Sequence, residues 1–159
     1  MTGLGARGPF RTSLLLVVAT VVTPFAAAHT ELAASSPEGN EFLEASPDSV
    51  VLTFTEPFEL RFSRFVLAHV SSEPDLAEAD LSRLHGLATE HVADASDASD
   101  AAVPFALEAE GDRPHTVTLR PEEPLAPGAW GVAWNVLALD GHVMRDRLLF
   151  VVRAHDPMP

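Results

Sequence analysis

The sequence contains no cysteine, no lysine and no tyrosine. Without cysteine, neither disulfides nor thiolate metal sites are available, so any metal has to be held by nitrogen and oxygen. Without lysine, the ten basic residues are all arginine; they face 23 acids, for a formal net charge of -13. A surface of that sign repels nucleic-acid phosphates and anionic lipid heads while drawing in cations, which excludes a nucleic-acid partner. Three methionines in the whole chain are too few for a thioether cluster. No apolar run approaches the roughly 20 residues needed to span a bilayer with its flanking charges.

What is present begins at the N-terminus. Residues 1–12 carry Arg7 and Arg11 and no acid, Ser13 to Phe25 is apolar and is broken late by Pro24, and Ala26-Ala27-Ala28 follows. This order of charged, apolar and small segments is that of an export signal. Lacking an Arg-Arg pair, it predicts ordinary secretion to the periplasm and removal of residues 1–28, without stable membrane insertion afterwards; the alternative is an uncleaved anchor. Residues 29–159 then form one domain of ordinary size, and its first residue is His29. A chain-starting histidine offers a metal both its α-amino nitrogen and its ring Nδ1, closing a six-membered chelate that an internal histidine cannot make.

Short β-patterned runs alternate with proline, glycine and acidic turns along residues 29–159. Val50 to Thr55 sets Val50, Leu52 and Phe54 on one face, and Phe65 to Val70 is a second run. Thr116 to Arg120 directs Val117 and Leu119 inward, Ala129 to Leu137 aligns Trp130, Val132, Trp134 and Val136, and Leu148 to Val152 closes the chain. These runs predict an all-β domain, an antiparallel sandwich or barrel. Residues 73–102 read as an acidic excursion from the sheet. Leu81, Leu84 and Ala88 stand at helical spacing within Leu76–Val92, and the Asp94–Asp100 repeat after them is too polar to offset its ordering entropy.

Asp140-Gly141-His142 directly follows the strand with both tryptophans. Read as an extended segment, residues two apart project to one side, so the carboxylate and the imidazole face one ion. With His29 they supply three nitrogens and one oxygen, a sulfur-free set that favours Cu(II). Taken alone, Asp-Gly is a common turn pair, and a histidine after it is usually a surface residue.

The surrounding pattern resembles the CopC family of periplasmic copper-binding proteins. His29-Thr30-Glu31-Leu32 leading into Ser35-Ser36-Pro37-Glu38-Gly39 is similar to the family's opening, as are Ala45-Ser46-Pro47 and Val50 to Pro57. Leu125-Ala126-Pro127-Gly128-Ala129-Trp130-Gly131-Val132-Ala133-Trp134-Asn135-Val136, running on to Asp140-Gly141-His142, is similar to its closing half. The resemblance implies a Greek-key sandwich or barrel, immunoglobulin-like or cupredoxin-like, and one Cu(II) per mature chain, held by His29, Asp140 and His142. It places Glu56 at the family's acidic position after the second strand, as an outer acceptor or a plain surface carboxylate. It further implies a non-enzymatic copper carrier or buffer, with an inner-membrane transporter of the CopD type as partner. The chain departs from the family in having Trp130 for the usual tyrosine, Ala138 where serine is common, and Val143-Met144-Arg145-Asp146-Arg147 after the motif. With so few methionines, no Cu(I) site of the methionine-rich kind is expected.

Two other readings are open. An N-terminal histidine with a second histidine is also the brace of copper oxygenases, although there is no tyrosine for the usual axial position and Asp140 would fill a place that oxygen needs. A metal-free immunoglobulin-like interaction module is the plainest alternative. His69, His85, His91, His115 and His155 lack ligand partners at useful spacing, and His85 and His91 lie about 240° apart around a helix.

Overall fold

The computed structural model describes residues 30–73, 75–92, 95 and 101–154. The predicted signal segment, His29, His155 and all of the acidic repeat except Ala95 lie outside the described residues. Eight strands form two sheets: β1 (Leu32–Ser36), β2 (Phe42–Leu43), β3 (Val50–Phe54), β4 (Arg64–Ser71), β5 (Phe105–Ala109), β6 (Thr116–Pro121), β7 (Gly128–Leu137) and β8 (Val143–Val152). One sheet has the order β1-β3-β6-β5 and the other β2-β8-β7-β4, with every pairing antiparallel except β2 with β8. The chain passes repeatedly between the sheets, giving a Greek-key β-sandwich.

Alternation accounts for the core. Val50, Leu52 and Phe54 of β3 and Val117 and Leu119 of β6 meet Trp130, Val132, Trp134 and Val136 of β7 and Leu148, Phe150 and Val152 of β8 between the sheets. Each such side chain contributes about 1.5–3 kcal/mol on full burial. Both tryptophans are core residues, as their spacing predicts. At one end of this core Phe54 stands edge-on to Phe58 at 5.0 Å and to Trp134 at 5.9 Å, and Phe58 lies 6.1 Å from Phe65. Edge-to-face aromatic packing of this kind makes a stiff floor.

The other face of β7 explains the excursion. Ala129, Gly131 and Ala133 are small, and a helix α1 (Leu81–His91) packs over them through Leu84, Ala88 and the following Val92. A Cβ on Gly131 would stand 3.2 Å from Val70 Cγ2 and 3.5 Å from Val92 Cγ2, a tight fit that would ask the Val70 side chain to give by a few tenths of an ångström. Asp80 Oδ2 accepts from the Ala77 N–H (3.0 Å) just before the helix starts. On the helix's exposed side, His85 Nε2 meets Asn40 Oδ1 at 2.7 Å, tying α1 to the turn between β1 and β2.

Candidate metal centre

The connection from β7 to β8 carries the Asp-Gly-His motif, and its conformation differs from the extended segment expected from the sequence. Ala138 N donates to His142 O (2.8 Å) and Gly141 N to Ala138 O (3.0 Å), so residues 138–142 close the hairpin. Gly141 adopts φ +89°, the left-handed region that three-residue hairpin loops require and that glycine enters without steric cost. Asp140 and His142 are therefore brought together by a turn rather than by strand alternation.

Their pairing is close. Asp140 Oδ1 accepts the His142 backbone N–H at 3.0 Å, and Oδ2 lies 3.1 Å from His142 Nδ1. A carboxylate only accepts, so a hydrogen bond along this contact needs the ring proton on Nδ1. The His142 side chain is 73% exposed, which leaves Nε2 open to an incoming ion.

The start of the domain meets this hairpin. Glu31 N donates to Thr55 Oγ1 (3.0 Å) and Thr55 N to Glu31 O (2.8 Å), strapping the first described residues to the end of β3. Thr30 is buried, and its Oγ1 has no hydrogen-bond partner among the described residues. Thr30, Glu56, Pro57, Leu139 and Asp140 line one open cavity of about 290 Å³. Glu56 thus shares a wall with Asp140. Below the hairpin, Phe58 is fully buried and bridges to Ala138, so the aromatic floor supports the turn directly.

Among the described residues no three of His, Asp and Glu stand together as a complete metal site. Asp140 and His142 form a pair that needs a further ligand, and His29, the residue expected to supply it, lies outside the described residues. His69 is half-buried against Trp130 with ring centroids 4.6 Å apart, and burial, opposed by the carbonyls of Pro127 and Ser71, holds its pKa below the ordinary histidine value. His85 is engaged with Asn40. A second cavity beside the first, also of about 290 Å³, brings Thr30 and Glu31 to Trp134, Met144 and Arg145, residues that no motif connects. Met144 reads as part of a charged loop in the sequence, yet it is half-buried against the core.

Fold and site together define a small Greek-key β-sandwich with a carboxylate–imidazole hairpin at one end. Residues 32–153 match the CopC domain, and the chain belongs to the CopC family. It is 25% identical over 143 residues to protein YobA of Escherichia coli K12, covering 90% of this chain and 94% of that one, and equally to YobA of Shigella flexneri. Among solved structures, CopC from Methylosinus trichosporium OB3b superposes with a TM-score of 0.56 at 23% identity, covering 82% of this chain and all of that one. PcoC, a methionine-rich copper resistance protein from Escherichia coli, gives 0.55 at 24%, covering 79% of this chain and all of PcoC. At these identities the structures speak for the fold.

Proposed function

We propose that the mature protein begins at His29 and is a periplasmic Cu(II) carrier or buffer of copper homeostasis, not an enzyme. The α-amino nitrogen and Nδ1 of His29, a carboxylate oxygen of Asp140 and the imidazole of His142 hold one copper. The observation that carries this reading is that Thr30, one peptide bond after His29, lines the same cavity as Asp140. Consecutive Cα atoms are about 3.8 Å apart, so a terminal histidine at this point is within reach of the Asp140–His142 pair. The donor set fits the ion: nitrogen and oxygen, without the thiolates or clustered thioethers that select Cu(I). Asp140 takes a coordination place that an oxygenase would keep open, which favours holding the metal over turning it over. Glu56 is an outer acceptor on the cavity wall, and an inner-membrane transporter of the CopD type is the partner in transfer.

Binding requires the α-amino group, with an unperturbed pKa of about 7.7–8.0, to lose its proton and both imidazoles to be neutral, so affinity falls as pH falls. The test combines intact-mass analysis of the exported protein with calorimetric Cu(II) titration. The expected results are a terminus at His29, one Cu(II) per chain, and loss of tight binding in mature His29→Ala. Equal affinity in that variant would overturn the proposal.

A further inference from the structure

Arginines far apart in the sequence converge on the outer face of the second sheet, at the end that carries the hairpin. The register aligns Arg64 of β4, Asn135 of β7 and Arg145 of β8 in one row. The next row toward the hairpin is Leu137 with Val143, and the next row away from it is Val66, Ala133 and Arg147. Side chains directly opposite one another share a face and successive ones alternate, so the two rows nearest the hairpin present Arg64, Arg145 and Val143 around the buried Asn135, with no carboxylate, while Ala133 of the third row lies under α1. Asp146, between the two β8 arginines, belongs to the other face. Helix α1 covers the lower part of this face, around Ala68, Ala129, Leu149 and Val151, and stops short of the arginine row.

Charge and exposure set this end apart. Arg83, Arg113, Arg120 and Arg153 each pair with a carboxylate, whereas Arg61, Arg64 and Arg145 have no ion pair among the described residues. Three large apolar side chains stand exposed here: Phe62 at 63%, Leu139 at 49% and Val143 at 47%. Arg61 lies over the Phe62 ring at 5.0 Å. Phe62 sits on a one-turn 3-10 helix whose neighbour Glu59 bonds to Leu137, Leu139 is at the hairpin tip, and Val143 begins β8.

We propose that this face docks the protein on an anionic lipid bilayer, with Phe62, Leu139 and Val143 entering the headgroup layer and Arg64 and Arg145 pairing with lipid phosphates. Guanidinium suits phosphate through paired N–H donors. Exposed apolar side chains beside basic ones suit the boundary between lipid headgroups and acyl chains, as on the two faces of an interfacial helix, whereas a protein partner needs a complementary surface of about 1,000 Å² or more. The overall acid excess does not forbid it, because charges beyond the Debye length of about 8 Å at physiological salt are screened and the local patch decides. The docking requires no metal, so it stands or falls separately from copper binding. It would turn the Asp140–His142 pair toward the membrane.

The test is co-sedimentation of the exported, metal-free protein with vesicles of equimolar phosphatidylglycerol and phosphatidylcholine, against phosphatidylcholine alone. Binding is expected only to the anionic vesicles and is expected to weaken with salt. At about five-fold per arginine, Arg64→Gln with Arg145→Gln should lower partitioning roughly 25-fold. Phe62→Ser with Leu139→Ser should lower it independently, and Arg83→Gln with Arg120→Gln should leave it unchanged. No binding to the anionic vesicles, or an equal loss in the Arg83/Arg120 control, overturns the proposal; the first result would favour an acidic protein as occupant.

Discussion

Replacing Asp140 by asparagine probes the hairpin with almost no change in shape. The wild-type carboxylate accepts the His142 backbone N–H at 3.0 Å and lies 3.1 Å from His142 Nδ1. In Asp140→Asn one oxygen can keep the backbone bond, but the group then facing Nδ1 is an NH2 donor. Two donors cannot bond to each other, so the ring proton moves to Nε2 and Nδ1 becomes the acceptor. The nitrogen that faced solvent loses its lone pair, and a negative oxygen donor is lost as well. Changes to such oriented ligands typically cost 10–100-fold in metal affinity, or about 1.4–2.7 kcal/mol. Because the pair is exposed, the cost to folding should be small, about 0.5 kcal/mol or less. Imidazole 15N shifts of the metal-free protein read the tautomer directly, and competitive Cu(II) titration reads the affinity. A wild-type His142 protonated on Nε2, or undiminished affinity in the variant, would refute the reasoning.

Phe58→Ala removes a fully buried ring from the aromatic floor and should cost about 3–5 kcal/mol in denaturant unfolding; it should also loosen the hairpin bridged at Ala138, seen as faster amide exchange there. Gly128→Ala should destabilise by about 3 kcal/mol, since φ is +136° and the new Cβ would lie 2.2 Å from Ser71 O. Burial lowers the His69 pKa in the folded state below its unfolded value of 6.5. The unfolded chain therefore binds this proton more readily, and the His69 contribution, complete above about pH 6.5, is lost as pH falls from there toward the folded value. Unfolding midpoints at pH 7.5 and 5.5 should converge in His69→Gln relative to wild type; an unchanged difference would contradict this.

Legibility in the sequence followed packing. Strands β3 and β6 declare themselves because one buried face alternates with a partly exposed one, β7 because Trp130, Val132, Trp134 and Val136 alternate with small residues although both its faces are buried, and α1 because Leu84 and Ala88 repeat at four residues. Strand β1 is mostly small residues, β2 is two residues long and β5 is an exposed edge, so none of them carries an alternation to read. Arg145-Asp146-Arg147 looks like a polar loop, yet pairing with β7 extends β8 back to Val143, because hydrogen bonding across the sheet needs no apolar side chain at the edge. Asp140 and His142 were identifiable from the motif, but the turn that joins them depends on the Gly141 backbone. The arginine row was hidden in the net charge, since Arg64 and Arg145 are neighbours only through the register of three strands.

The burial of Thr30 and the strap between Glu31 and Thr55 have a consequence for the order of events in the cell. A peptidase that cuts between Ala28 and His29 must hold the residues on both sides of the bond in an extended, accessible form. In the folded domain Thr30, the second residue past this proposed cut, is already buried. Processing is therefore expected to precede folding. A precursor allowed to fold first should resist the peptidase that cuts its unfolded form, and would keep the terminal amine locked in a peptide bond.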